Sequence, residues 1–251
     1  LDCEENGGEV LLKQDFIEVS DYFCSKPPTN FGMQQTNIHQ EISTSSLENT
    51  PFFSYSDSLP ALLQTLHCTL AISTYQAGKL ILVSSFDGKH LRLFGKNFKR
   101  PMGIALSGNK LAIANKFTVE VFSGTRALAM TCPEKPRKHD FMFVPQATYH
   151  TGFTDIHDIA WGDEGLWAVN TAFSCLSLMD DEFHFTPKWQ PPFISELQPE
   201  DRCHLNGLAI EDGKPAYVTL LGATDTKEDW REKRLEKGMV IDVRTKQPIV
   251  E

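Results

Sequence analysis

Three stretches of the sequence can be written beneath one another without a gap: "PMGIALSGNKLAIAN" from Pro101, "IHDIAWGDEGLWAVN" from Ile156 and "LNGLAIEDGKPAYVT" from Leu205. Ile104, Ile159 and Leu208 coincide, as do Ala105, Ala160 and Ala209. Each copy then has a turn and a second strand ending at Asn115, Asn170 or Thr219. The copies begin about 50 residues apart, the length of a four-stranded propeller blade. An earlier stretch, Leu70 to Thr74 ("LAIST"), matches Leu111 to Asn115 ("LAIAN"), but this first unit shows no inner strand of its own. A twisted four-stranded sheet cannot bury both faces alone, whereas copies packed face to face around an axis can. The expected fold is therefore all-β, a β-propeller with about four blades in this chain. Because the sequence stops at "IVE" and does not begin with Met, the chain is expected to be a fragment that ends before the ring is complete.

The residues outside the repeats divide the chain in two. Residues 1–57 include "SKPPTNFGMQQTNIHQEISTSSLENTPFFSYSDS", with few aliphatic side chains to offset the entropy of ordering, and are expected to form a flexible or loosely packed arm. Residues 58–251 are expected to form the partial propeller. It opens with a short helix from Ser58 to His67 that carries Pro in its first turn, followed by three strands separated by the QAG and DGK turns.

Composition narrows the partners. A formal charge of -9 with no dense Lys/Arg stripe leaves no electrostatic footprint for nucleic acid or an anionic membrane. No run of about 18 apolar residues is present, and the acidic start "LDCEENGG" does not read as an export signal. The six cysteines lack CxxC spacing, which fits reduced thiols and a cytoplasmic location.

The hairpin in each repeat brings the start of its first strand beside the end of its second. Met102 should lie near Asn115, His157 near Asn170, and Asn206 near Thr219, all at one mouth of the central channel. The segments that feed the inner strands, "KNFKRP", "YHTGFTD" and "PEDRCH", add Arg100, His150, Asp155, Arg202 and His204 to that end. A long connection, Leu221 to Gly238, leaves the same end and is expected to act as a lid. Trp230 would be its partly exposed contact residue, with Arg231 beside it.

Several residue types here carry chemistry. His157 and His204 start neighbouring inner strands, and imidazole is a common ligand for divalent transition metals. Catalytic metal sites usually have three protein ligands, and His150 is one candidate for the third. The structural reading, with each histidine fastening its own loop, is equally open. Asp155 and Asp158 are candidate general bases or orienters of an imidazole. Arg100, Asn115, Asn170 and Asn206 are candidate ligands for a polar molecule, the asparagines also for Ca, although Asn is common at strand ends because it bonds its own turn. Glu200 and Asp201 read as solvated loop charge. Trp161, Trp167 and Trp189 read as packing between blades. Cys203 beside His204 is disfavoured as a nucleophile because adjacent strand residues face opposite ways.

At the level of whole motifs, "STYQAGKL", "RPMGIAL", "DIHDIAWGDEGLWAVNTAFSCL", "WQPPFISELQPEDRCHLNGLA" and "TDTKEDWREK" resemble successive segments of a family of bacterial conserved hypothetical proteins with propeller sequences. The resemblance runs from Leu59 to the end. It implies a further blade opening with Pro-His-Ser-Pro, which this chain does not contain, and it brings no established activity. The histidine so placed beyond the end of this chain is the other candidate for the third metal ligand. By fold analogy to the gluconolactonase, senescence-marker and NHL-type propellers, the complete ring would have six blades. Two functions remain open. One is a metal-dependent lyase, hydrolase or oxidoreductase acting on a small polar molecule at the channel mouth. The other is a non-catalytic propeller that recognises a sugar, peptide or protein partner there.

Overall fold

A computed structural model describes residues 11–13, 54–132, 139, 141–233 and 238–250. The chain forms four four-stranded antiparallel sheets arranged as the blades of a β-propeller. The first blade comprises β1 (Leu11–Lys13), β2 (Cys68–Thr74), β3 (Lys79–Ser84) and β4 (Arg92–Asn97). The second comprises β5 (Ile104–Ser107), β6 (Lys110–Ala114), β7 (Thr118–Thr125) and β8 (Met142–His150). The third comprises β9 (Ile156–Gly162), β10 (Gly165–Asn170), β11 (Cys175–Leu178) and β12 (Thr186–Trp189). The fourth comprises β13 (Leu205–Glu211), β14 (Lys214–Leu220), β15 (Met239–Asp242) and β16 (Pro248–Val250).

The inner strand that the first repeat seems to lack is supplied from far upstream. β1 pairs antiparallel with β2, Leu11 opposite Leu70 and Lys13 opposite Cys68, in the place that β5, β9 and β13 hold in their own sheets. This corrects the expectation of a three-stranded first unit, because the pairing is non-local and a three-residue strand leaves almost no pattern in the sequence. Of the expected arm, residues 1–10 and 14–53 lie outside the described residues.

Strand alternation decides how blades meet. In β6, Leu111 and Ile113 face the first blade and join Leu80, Leu82, Phe122 and Phe143 in one core. Ala112 and Ala114, on the opposite face, meet Ile156, Ile159, Leu166 and Ala168 of the third blade. In β10 the next face carries Trp167 and Val169, which pack with Leu205, Val218, Leu220 and Ile241 of the fourth. At the second joint small residues allow close approach. A Cβ on Gly103 would stand 2.8 Å from the Ile159 nitrogen and 3.0 Å from Asp158 Cα, so the inner strands β5 and β9 nearly touch backbone to backbone. The three tryptophans read as packing do pack: Trp167 is buried, Trp161 and Trp189 are partly buried against the cores, and Trp189 Nε1 donates to the Val243 carbonyl at 2.9 Å.

The expected helix is α1 (Leu59–Leu66), which starts after Ser58 and ends at His67 in a left-handed conformation (φ 48°). Its Leu63 packs with Cys68 and Val83, covering the face of the first blade that points away from the second. Among the described residues no helix is long and apolar enough to cross a membrane.

Candidate functional site at the channel mouth

The three repeats place one residue each immediately before the aligned segments that begin at Pro101, Ile156 and Leu205: Arg100, Asp155 and His204. All three have left-handed backbones, with φ of 52°, 47° and 49°. A non-glycine residue in this region costs on the order of 1 kcal/mol, and here the cost recurs at the same point of three successive blades. Two residues further on stand Met102, His157 and Asn206. The hairpins bring the strand ends together as expected: the Met102 nitrogen donates to the Ala114 carbonyl at 3.0 Å, Ile156 is opposite Asn170, and Gly207 is opposite Thr219.

The two histidines meet across the third and fourth blades, their ring centroids 4.8 Å apart and nearly perpendicular at 85°. They are held differently. His157 uses both ring nitrogens: Nδ1 lies 2.9 Å from Asn206 Oδ1 and Nε2 lies 3.5 Å from Asp155 Oδ2. Both partners are acceptors, so the ring is suited to carry two protons. Burial opposes its charge, but the bonds to Asp155 and Asn206 and the nearby Asp155 and Asp201 carboxylates outweigh burial and raise its pKa. Asp155 is correspondingly lowered, chiefly by the bond to His157 and against its own burial, with help from the charge of Arg100.

His204 is bonded through Nδ1 alone, 2.8 Å from Asp201 Oδ2. Asp201 accepts from Nδ1, and in the neutral ring this fixes the tautomer that leaves a lone pair on Nε2. No hydrogen bond among the described residues engages that nitrogen. One face of the His204 ring is covered by Trp230, the first residue of α2 (Trp230–Lys233), whose ring stacks on it at 4.1 Å and 30°. Asp201 Oδ1 and Trp230 Nε1 are both buried with no hydrogen-bond partner among the described residues.

The lid expectation needs correction at this point. Trp230 is 4% exposed, closed against His204 and not partly open. Gly222 permits this, since a Cβ there would lie 3.2 Å from Trp230 Cβ. Arg231 lies over the same ring, 4.4 Å from its centroid, and is bonded to Glu228 at 3.0 Å, so it forms part of the lid's own framework.

Other expected site residues sit elsewhere or do other work. Asp158 spends both oxygens on backbone: Oδ1 accepts from the Ile159 nitrogen and Oδ2 from the Leu208 nitrogen, each at 2.9 Å. Burial raises its pKa against these two bonds. It is a clamp between the third and fourth blades. Asn170 is fully buried, and its Oδ1 accepts from the Phe173 nitrogen at 3.2 Å. Asn115 is buried and donates to Glu120 Oε1 at 2.8 Å. Both asparagines thus bond within their own blades and do not join the histidines, whereas Asn206 is exposed at the mouth and bonded to His157. His150 closes β8 at the correct end of the ring, but β8 is the outermost strand of its sheet, three strand spacings or roughly 14 Å from the inner one.

His150 is therefore not brought to the two histidines. Within the pair only His204 has an uncommitted ring nitrogen, and among the described residues no group of three or more His, Cys, Asp or Glu is placed to hold a metal. Cys203 is fully buried, and burial pushes its thiol up to about 12, as it does that of Cys175, which makes both inert at neutral pH.

Two features escaped sequence reasoning. Asp201, read as solvated charge, is the partner of His204; the Asp-x-x-His spacing was its only local signal. Arg202 is buried and gathers Glu200 at 2.9 Å, Asp225 at 3.0 Å and Glu196 at 3.0 Å. It pins the segment before β13 to the connection that carries Trp230, and Asp225 first, then Glu200 and Glu196, hold its proton more firmly than usual. Only the fold brings these carboxylates together.

Among curated proteins none matches the chain. Residues 57–251 match the family described as a domain of unknown function, DUF4915, a span that takes in the described blades from α1 onward and every residue of the histidine cluster. The chain belongs to the DUF4915 family.

Proposed function

We propose that the channel mouth binds a small polar molecule and acts on it by proton transfer, with His204 as the general base. The observation that carries this reading is the unequal wiring of the two histidines. His157 is bonded at both nitrogens, whereas Asp201 orients His204 and leaves Nε2 uncommitted. An imidazole whose far nitrogen is tied to a carboxylate is the standard arrangement for accepting a proton from a reacting group. The unpartnered Asp201 Oδ1 and Trp230 Nε1 in the same cluster also support a functional role, because buried polar atoms without partners collect where a ligand or a reaction uses them. His157, whose bonds to Asp155 and Asn206 favour its charged form, stands beside the base, and Asn206 offers an exposed amide. A divalent metal is not required for this chemistry. Bound at His204 Nε2, it would have a single imidazole ligand from this cluster and correspondingly weak affinity.

The test uses the whole chain in deuterated buffer with a mixture of small hydroxy acids, oxo acids and lactones, followed by proton NMR. Wild-type protein is expected to wash out or convert at least one component, and His204→Ala to leave that component unchanged. Asp201→Ala should slow it by roughly a hundredfold, the usual contribution of a positioned acid or base. A wild-type protein that changes nothing in the mixture, or a His204→Ala variant as active as wild type, would overturn the reading.

A further inference from the structure

Arg100 stands at the position of the second blade that Asp155 and His204 hold in the third and fourth, with the same left-handed backbone. It is exposed. Its guanidinium lies 5.4 Å from the centroid of the Tyr75 ring, and Nη1 donates to the Tyr75 hydroxyl at 3.4 Å. Among the described residues no carboxylate forms an ion pair with it, whereas Arg202 at the same end of the ring takes three. Lys99 and Lys116 flank it, their backbones joined by a 2.8 Å hydrogen bond, and both ammonium groups lie over the Phe117 ring, at 5.1 and 4.8 Å. In a chain of formal charge -9, this is a local concentration of positive charge without an ion-pair partner among the described residues, and the charge of Arg100 reaches Asp155 of the histidine cluster.

We infer that Arg100 and Tyr75 form an oxyanion subsite that binds the carboxylate or phosphate group of the molecule on which His204 acts. This rests on the acid–base reading above and adds the substrate class to it: a small molecule with an anionic group at one end and the reacting proton at the other. The guanidinium offers a planar fork suited to either oxyanion, and the Tyr75 hydroxyl, 39% of that residue being exposed, offers a further donor. Asp155 stands between Arg100 and His204 in blade order. Its negative charge would repel an anion were it not engaged by His157, so the His157 bond also screens the subsite. Lys99 and Lys116 raise the local potential and draw the anion toward the mouth.

The test is a titration of the full chain, with labelled arginine side chains followed by NMR, using inorganic phosphate, glycolate, and the neutral isostere glycolamide. At least one of the two oxyanions is expected to shift the Arg100 signal saturably, glycolamide is not, and the response to phosphate and to glycolate tells which source of the oxyanion the subsite takes. Arg100→Gln should weaken that binding by roughly tenfold or more, the loss of a charge-assisted fork, and Tyr75→Phe by a smaller factor. Binding that survives His204→Ala but is lost in Arg100→Gln upholds the subsite whatever becomes of the proton-transfer reading. Equal binding by Arg100→Gln, equal binding of glycolamide, or no saturable response to either oxyanion up to about 50 mM, where even a weak site would fill, overturns it.

Discussion

The joint between the first and second blades and the joint between the third and fourth solve the same packing problem with different chemistry. The first is apolar: Leu80 and Leu82 meet Leu111, Ile113, Phe122 and Phe143, and the Ser73 hydroxyl donating to the Met102 carbonyl at 2.6 Å is a polar stitch at its edge. The second also has an apolar core, but polar links cross it from mouth to rim. The Thr171 hydroxyl donates to the Leu205 carbonyl at 2.6 Å, Asp158 receives the Leu208 nitrogen, His157 meets Asn206, and the Asp163 nitrogen donates to the Gly213 carbonyl at 2.7 Å. An apolar joint tolerates no titration and needs none. A joint crossed by Asp158, His157 and Asn206 holds its blades in fixed register and places ionisable groups at the mouth, which is where the candidate chemistry lies.

The largest expected effect comes from breaking the apolar joint. Phe122 is 1% exposed and packs edge-on against Phe98 at 6.3 Å; Phe122→Ala should cost about 3–5 kcal/mol, read as a lowered denaturant midpoint, with the histidine signals unchanged in whatever fraction stays folded. At the polar joint, Asp158→Asn should cost about 2 kcal/mol although it removes a buried charge. An amide has one acceptor oxygen, so its NH2 would be forced against one of two backbone N–H groups. An Asp158→Asn variant as stable as wild type, or more stable, would show that burial of the charge, and not the double acceptor, dominates.

The next effect is a pH dependence confined to the polar joint. The raised pKa of His157 contributes stability that is complete below the ordinary histidine value and is lost as pH rises through the higher folded value. The lowered pKa of Asp155 contributes stability present above the ordinary carboxyl value and lost as pH falls through the lower folded one. The pair therefore stabilises the fold most between the two, by on the order of 1 kcal/mol or less because Asp155 is a third exposed. Asp155→Asn should remove the acid limb and weaken the alkaline one, measured as Tm against pH.

The smallest effect on stability is expected from Asp201→Ala, about 0.5 kcal/mol. Its signature is in the tautomer instead: released from Asp201, the neutral His204 ring should shift its proton toward Nε2.

How much of this was legible in the sequence follows the same division. The apolar alternation of Leu111 to Ala114, and the coincidence of Ile104, Ile159 and Leu208, are local patterns, and they placed the hairpins and the blades. The same alignment put His157 and His204 at one mouth. What could not be read were the contacts made by residues distant in sequence. β1 fills the inner place of a blade whose other strands begin at Cys68, Arg202 draws its carboxylates from two loops, and Trp230, surrounded by charged neighbours in the sequence, is buried because Gly222 leaves room for it. Asp158 and His157 are adjacent and alternate in direction, so the candidate base of the pair became a backbone clamp while its neighbour took the site.

The central claim is that the two histidines are wired for different tasks, and nitrogen-15 NMR of the imidazole rings across pH tests it most directly. The account predicts that His157 stays doubly protonated beyond the ordinary histidine midpoint, and that neutral His204 carries its proton on Nδ1 with Nε2 bare. A His157 that loses its proton at or below the ordinary value, or a neutral His204 protonated on Nε2, would contradict it.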